Sequence, residues 1–325
     1  MARDLDREGP PLATVFGASG FVGTQVTQLL AKSGFRVRAA VRRPDLAGQL
    51  RPLGDVGQIV PVQANVRNEN SVASAVRGAD VVINLVAIGY QRGNQRFQTV
   101  NIDGAAYVAQ AAKAAGAKTL VHMSIIGADI ESESAFARSR AEGEGAVREA
   151  FPEAIIVRPS LIFGPDDAFF NTMASLARFF PIMPLIGGHS KFQPVYVRDV
   201  AQLFEMAALG EVRAGRTYEL GGPEVMTQKE LLQLILRETM RSNLLLPTPK
   251  GLANLMALPM GLLPKPLLTS DQIELLQHDN VVSETAVRER RTLEGVGITP
   301  TPMAEVLPTY LWRFRRNGQF DKVAA

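Results

Sequence analysis

From residue 12 to about residue 159, short runs of β-branched and apolar residues alternate with longer Ala-rich stretches, the spacing of βαβ units around a parallel sheet. Strands are expected at 13–16, 36–41, 58–63, 81–86, 119–124 and 154–158, with helices opening near Phe21, Asn70, Phe97 and Ser134. Parallel crossovers cover both faces of a sheet with helices. The pattern therefore predicts an α/β fold, a Rossmann-type doubly wound parallel sheet with a smaller mixed C-terminal lobe, and places ligands at the carboxyl ends of the strands. Residues 1–11 read as an N-terminal extension and 12–165 as the sheet domain, with later strands and helices to about 222 contributing. Residues 166–325 read as the C-terminal lobe and a docking tail.

Beyond Pro159 the alternation gives way to loops rich in Pro and Gly, such as 180–188, with short helices and isolated strands between them. Asp199 stands where a strand turns into a helix, the position of an N-cap. Thr227, three residues before Glu230, has the form of a capping box opening an amphipathic helix to about Met240. Residues 244–268 are apolar but interrupted by five prolines, which forbid one continuous helix. They read as a looped lid packed on its own domain or as an apolar surface for a membrane or partner. The tail at 311–316 sets the single tryptophan among arginines, residues enriched at interfaces and also ordinary at a solvated helix end.

Composition narrows the chemistry. A content of 46% hydrophobic and 21% charged residues is that of a globular protein, and no apolar stretch approaches the length of a membrane span. The first ten residues lack an apolar signal core and carry acids, so neither a signal nor a transit peptide is expected. With no cysteine, disulfides and thiolate chemistry are excluded; His122, His189 and His278 are too far apart in sequence for a helical metal site. A net charge of +3 is too small to argue for nucleic acid, and no nucleic-acid partner is expected.

The sequence Gly17-Ala18-Ser19-Gly20-Phe21-Val22-Gly23 follows the first strand and opens a helix. Gly17 suits a sharp turn, Gly20 lets backbone approach a pyrophosphate, and Gly23 permits close helix packing, while the helix N-terminus offers amides to the anion. Ser19, Phe21 and Val22 belong to the same loop and first turn. The second strand ends in Arg42-Arg43 with no carboxylate to accept ribose hydroxyls; guanidinium groups suit a 2′-phosphate, which favours NADPH over NADH. Asn65 and Val66 should border the adenine, and Leu85, Val86 and Ala87 the ribose and pyrophosphate. Ser124 and then Pro159, Ser160, Leu161 and Ile162 should lie on the nicotinamide side.

Together these motifs resemble the extended and atypical short-chain dehydrogenase/reductase superfamily over residues 12–222. Residues 151–165, 171–179, 193–200 and 293–302 are similar to the NADPH-binding accessory subunits of respiratory complex I. The resemblance implies a non-catalytic member of the superfamily with tightly held NADPH. Its partners would be complex I subunits of the peripheral arm and of the membrane-arm junction near the quinone site. It would lie peripherally on the cytoplasmic face of a bacterial inner membrane. Where the superfamily carries tyrosine and lysine, this chain has Phe136 and Arg140. Phenylalanine has no proton to exchange; Arg140 retains a cation for the nicotinamide ribose. A reductase or epimerase would need another donor, Tyr90 or Tyr107, and an NADP(H)-sensing regulatory protein is a further alternative.

Overall fold

The computed structural model describes residues 9–261, 266 and 268–321; the expected N-terminal extension and the proline-rich segment lie partly outside them. Strands β1 (Leu12–Phe16), β2 (Arg36–Val41), β3 (Ile59–Gln63), β4 (Val81–Asn84), β5 (Thr119–Met123) and β6 (Ile155–Pro159) fall within a few residues of their expected positions. They alternate with helices α1 (Phe21–Lys32), α2 (Glu69–Val76), α3 (Asp103–Ala114) and α4 (Ala135–Ala150). The helix expected to open near Phe97 does so, its first turns being π-helical over Gln98–Ile102 before α3.

Later in the chain come β7 (Ile162–Phe163), α5 (Phe169–Phe179), β8 (Ile182–Leu185), β9 (Lys191–Phe192), β10 (Val195–Tyr196) and α6 (Val197–Leu209). They are followed by β11 (Thr217–Leu220), β12 (Met226–Thr227), α7 (Gln228–Glu238), β13 (Leu244–Pro247), α8 (Lys250–Met260), α9 (Ser270–Leu275), α10 (Glu284–Arg288) and α11 (Met303–Leu311). The main sheet has seven strands in the order β11-β6-β5-β4-β1-β2-β3, and every pairing in it is parallel.

Period-2 alternation explains why both faces are covered. Ala13 and Val15 of β1, Val81 and Ile83 of β4, and Ile155 and Val157 of β6 pack beneath α1 and α6. Phe16, Val82, Leu120 and Ile156 point the other way, against α2, α3 and α4. The order reverses between β1 and β4, opening a crevice at their carboxyl ends. A separate core joins α5, α7 and α11 through Phe170, Leu231, Ile235 and Leu307.

Two capping expectations had different outcomes. Thr227 and Glu230 form the reciprocal capping box of α7. Asp199, expected as an N-cap, lies inside the first turn of α6; its carboxylate instead accepts from the backbone N–H of Thr301 at 2.7 Å and from its hydroxyl at 2.9 Å. That contact ties the C-terminal segment to the sheet domain. Among the described residues of 244–268 the chain is not one helix: β13 ends at Pro247, and α8 starts after Pro249 and carries Pro259 in its last turn.

Candidate functional site

The loop between β1 and α1 is shaped by its glycines. Gly17 has φ +81°, a left-handed conformation that suits glycine, and its N–H donates to the carbonyl of Ala40 at 3.1 Å. A Cβ on Gly23 would lie 2.2 Å from Gly17 O, so only glycine lets α1 seat against the loop. Gly20 is the N-cap residue and supplies no side-chain cap. The first-turn amides of α1, from Phe21, Val22 and Gly23, have no intrahelical acceptor and suit an anion.

A cavity of about 290 Å³ lies over this loop, walled by Gly17, Ser19 and Gly20, by Arg42, by Asn65 and Val66, and by Leu85, Val86 and Ala87. No Asp or Glu lines it. Arg42 donates to Gln95 Oε1 at 2.9 Å. Arg43 is not in this wall: it turns to Asp45 at 2.9 Å in a largely exposed pair. Arg67, which the sequence reading passed over, joins the wall and donates to the carbonyl of Asn94 at 2.9 Å. Its signal was its place two residues past Asn65, at the end of a strand facing the crevice. The side chains of Val22 and Phe21 pack toward the core beneath α1.

A larger cavity, about 760 Å³, opens beyond the ends of β5 and β6. Pro159, Ser160 and Leu161 line it, as do Ile125, Ile126 and Phe136; Ile162 lies in β7 outside the wall. Phe136 packs on Phe97 with ring centroids 5.9 Å apart. Across the mouth, Lys250 pairs with Glu274 at 2.6 Å and Glu133 at 3.4 Å. The end of α4 that carries Phe136 is held by the carboxylate of Asp271, which accepts from the N–H of Ala135 at 2.7 Å, that of Phe136 at 3.3 Å and the Ser134 hydroxyl at 3.2 Å.

Two expected nicotinamide-side residues are elsewhere. Ser124 is buried, its hydroxyl unpartnered, and lines neither cavity. Arg140 is 1% exposed; it donates to the carbonyl of Met123, while Nε and Nη1 have no partner. The guanidinium turns under the end of β5 instead of into either cavity. Burial, opposed by Glu144, brings its pKa down to about 10. Next to it His122 is held well below its usual range by burial and by Arg140 and Arg148, and so is neutral.

Asn101, also passed over in the sequence, ties the loop after β4 to α4. Its amide pairs with both backbone groups of Ile88, at 2.9 and 3.1 Å, and donates to Ser139 at 3.0 Å. The π-turn that places it abuts Gly143 of α4, where a Cβ would lie 2.4 Å from Asn101 O.

Fold, glycine loop and the pair of strand-end cavities together define an NAD(P)H-binding protein of the short-chain dehydrogenase/reductase type. A family described as NAD(P)H-binding matches residues 17–155, and one described as the RmlD substrate binding domain matches 128–258. The chain is 33% identical over 317 residues to the mitochondrial NADH-ubiquinone oxidoreductase 40 kDa subunit of Neurospora crassa, across 96% of this chain and 82% of that one. It is 36% identical over 323 residues to NADH dehydrogenase (ubiquinone) 1 alpha subcomplex subunit 9, mitochondrial, of Arabidopsis thaliana, across 94% and 79%. The chain belongs to the family of these subunits. Among solved structures, an NADPH-dependent quinone oxidoreductase from Escherichia coli shares the fold, with a TM-score of 0.72 at 20% identity over 90% of this chain and 97% of that one.

Proposed function

We propose that this chain is an accessory subunit of a respiratory NADH-ubiquinone oxidoreductase that holds NADPH as a structural ligand and does not turn it over. One observation carries the non-catalytic part: Phe136 stands in the wall of the larger cavity, packed on Phe97, where the superfamily's phenol would stand. The dinucleotide loop is meanwhile intact. NADPH would supply a hydride; this chain offers no phenol at that wall to move the matching proton. Tyr90 and Tyr107 line neither cavity, which weighs against a reductase using either as donor.

The loop amides of α1 would hold the pyrophosphate, Asn65 and Val66 the adenine edge, and Leu85 to Ala87 the ribose. Arg42 and Arg67, in a wall without carboxylates, support NADPH over NADH. The partners are other subunits of the peripheral arm and of its junction with the membrane arm. The protein would sit peripherally, on the cytoplasmic face of a bacterial inner membrane; among the described residues no helix is long and apolar enough to cross it.

The decisive experiment is to extract the complex from native membranes in mild detergent and resolve it by native electrophoresis. The chain is expected to comigrate in stoichiometric amount and to release NADPH on denaturation. Its complete absence from the complex would overturn the subunit reading.

A further inference from the structure

The C-terminal lobe presents an apolar face that the nucleotide site does not use. Strands β8 and β13 form a two-stranded parallel ribbon in which Leu244 is registered with Ile182 and Leu246 with Pro184. Alternation sends Met183 and Leu185 into the core, so Ile182, Leu244 and Leu246 are left outside, each at least half exposed. Just ahead of β8, Phe179 is 70% and Phe180 56% exposed. Lone exposed apolar residues need no explanation, whereas a contiguous set does.

Helix α8, which follows β13 in the chain, also turns leucines outward. Ala253 and Ala257 face the protein, while Leu255 and Leu258 stand 63% and 68% exposed. A helix folded for water alone would place its leucines inward.

Charge identifies what covers this face. Arg178 precedes Phe179 and lies over its ring, 5.6 Å from the centroid; Arg241 precedes β13 and donates to the carbonyl of Phe314 at 3.0 Å. Arg178 and Arg241 stand ahead of the paired starts of β8 and β13, and Arg316 lies two residues past Phe314, whose carbonyl holds Arg241, so the three arginines gather at one end of the ribbon; burial, and then the like charges of Arg178 and Arg316, hold the Arg241 pKa below its ordinary value. Among the described residues none of the three is in an ion pair. The neighbouring acids are engaged elsewhere, Glu238 toward Arg315 at 3.9 Å and Asp321 with Asn317 at 2.6 Å. Clustered arginines without a carboxylate partner, beside exposed phenylalanines and leucines, match a sheet of phosphates lying over acyl chains.

We propose that this face docks on an anionic phospholipid bilayer. Phe179, Phe180 and the ribbon's Ile182, Leu244 and Leu246 enter the headgroup–acyl boundary, and Arg178, Arg241 and Arg316 pair with lipid phosphates. The proposal deepens the subunit reading by naming the surface that meets the membrane, and its test is separate.

The full-length chain loaded with NADPH is sedimented with phosphatidylcholine vesicles containing or lacking phosphatidylglycerol. Partitioning is expected only with the anionic lipid and is expected to weaken in high salt. The double variant Arg178→Glu, Arg241→Glu should partition about tenfold more weakly or worse, as should Phe179→Ser with Phe180→Ser. Exposed Val56→Ser, remote in sequence from the patch, should have no effect. Each variant is checked for an unchanged unfolding midpoint and NADPH affinity. As a second readout, Leu246→Trp in a Trp312→Phe background should be quenched by brominated acyl chains. Binding that ignores phosphatidylglycerol, binding unaltered in both double variants, or an unquenched Trp at 246 overturns the proposal. So does a failure to bind vesicles combined with capture of a protein of the complex through this patch. A chain that binds vesicles yet is absent from the purified complex keeps this proposal and sinks the subunit reading; the reverse result does the opposite.

Discussion

Arg42 and Arg43 are neighbours in sequence with different fates, one in the wall of the smaller cavity and the other paired with Asp45 at the surface. The sequence could say that the strand ends in cations, because that follows from composition at a known position. It could not say which cation faces inward, since that depends on the turn after the strand. Arg67 was missed for the same reason. If these two arginines read a 2′-phosphate, Arg42→Ala and Arg67→Ala should each weaken NADPH binding about tenfold or somewhat more, leave NADH binding nearly unchanged, and Arg43→Ala should do neither. Calorimetric titration with both nucleotides checks this; equal losses for NADPH and NADH would show that neither arginine reads the phosphate. Arg140 shows the limit of reading by position. A superfamily lysine site suggested a ribose contact, but whether a guanidinium reaches a cavity or is trapped beneath a strand is decided by packing from residues distant in sequence.

Helix α4 is where local and remote signals meet. Ser134 was legible as a helix start because an N-cap is a local motif, and its hydroxyl accepts from the N–H of Ala137 at 3.3 Å. The second cap, Asp271, lies 136 residues from Ala135, and no periodicity links positions so far apart. The same distance hid the link from Asp199 to Thr301. The sheet elements, by contrast, were readable because alternation in β1 to β6 and the glycine loop are contained within single elements. Asp271 joins the lobe to the helix that bears Phe136, with its negative charge at the favourable end of the helix dipole. Asp271→Ala leaves two backbone amides without their carboxylate and is expected to cost about 1–2 kcal/mol. The unfolding midpoint should fall by a few degrees, and hydrogen exchange should quicken at both 134–138 and 270–276. Faster exchange at only one of these would show that the contact does not couple the two parts.

In the whole molecule the smaller cavity and the later part of the chain share one sheet, since β11 completes it on the far side of β6. Ligand that binds only the folded state at 100 times its dissociation constant adds about 2.7 kcal/mol. NADPH should therefore raise a single calorimetric transition covering the entire chain; a second transition that ignores NADPH would show that the lobe unfolds by itself. The late arrival of β11 also has a consequence in time. Its Thr217 to Leu220 pair with Ile156 to Pro159 of β6, so a growing chain makes β6 about 60 residues before it makes the strand that covers that edge. At ~5–20 residues per second the edge stays open for several seconds, with unpaired backbone beside apolar Ile155 and Val157. A nascent chain paused before residue 217 is therefore a strand-pairing hazard.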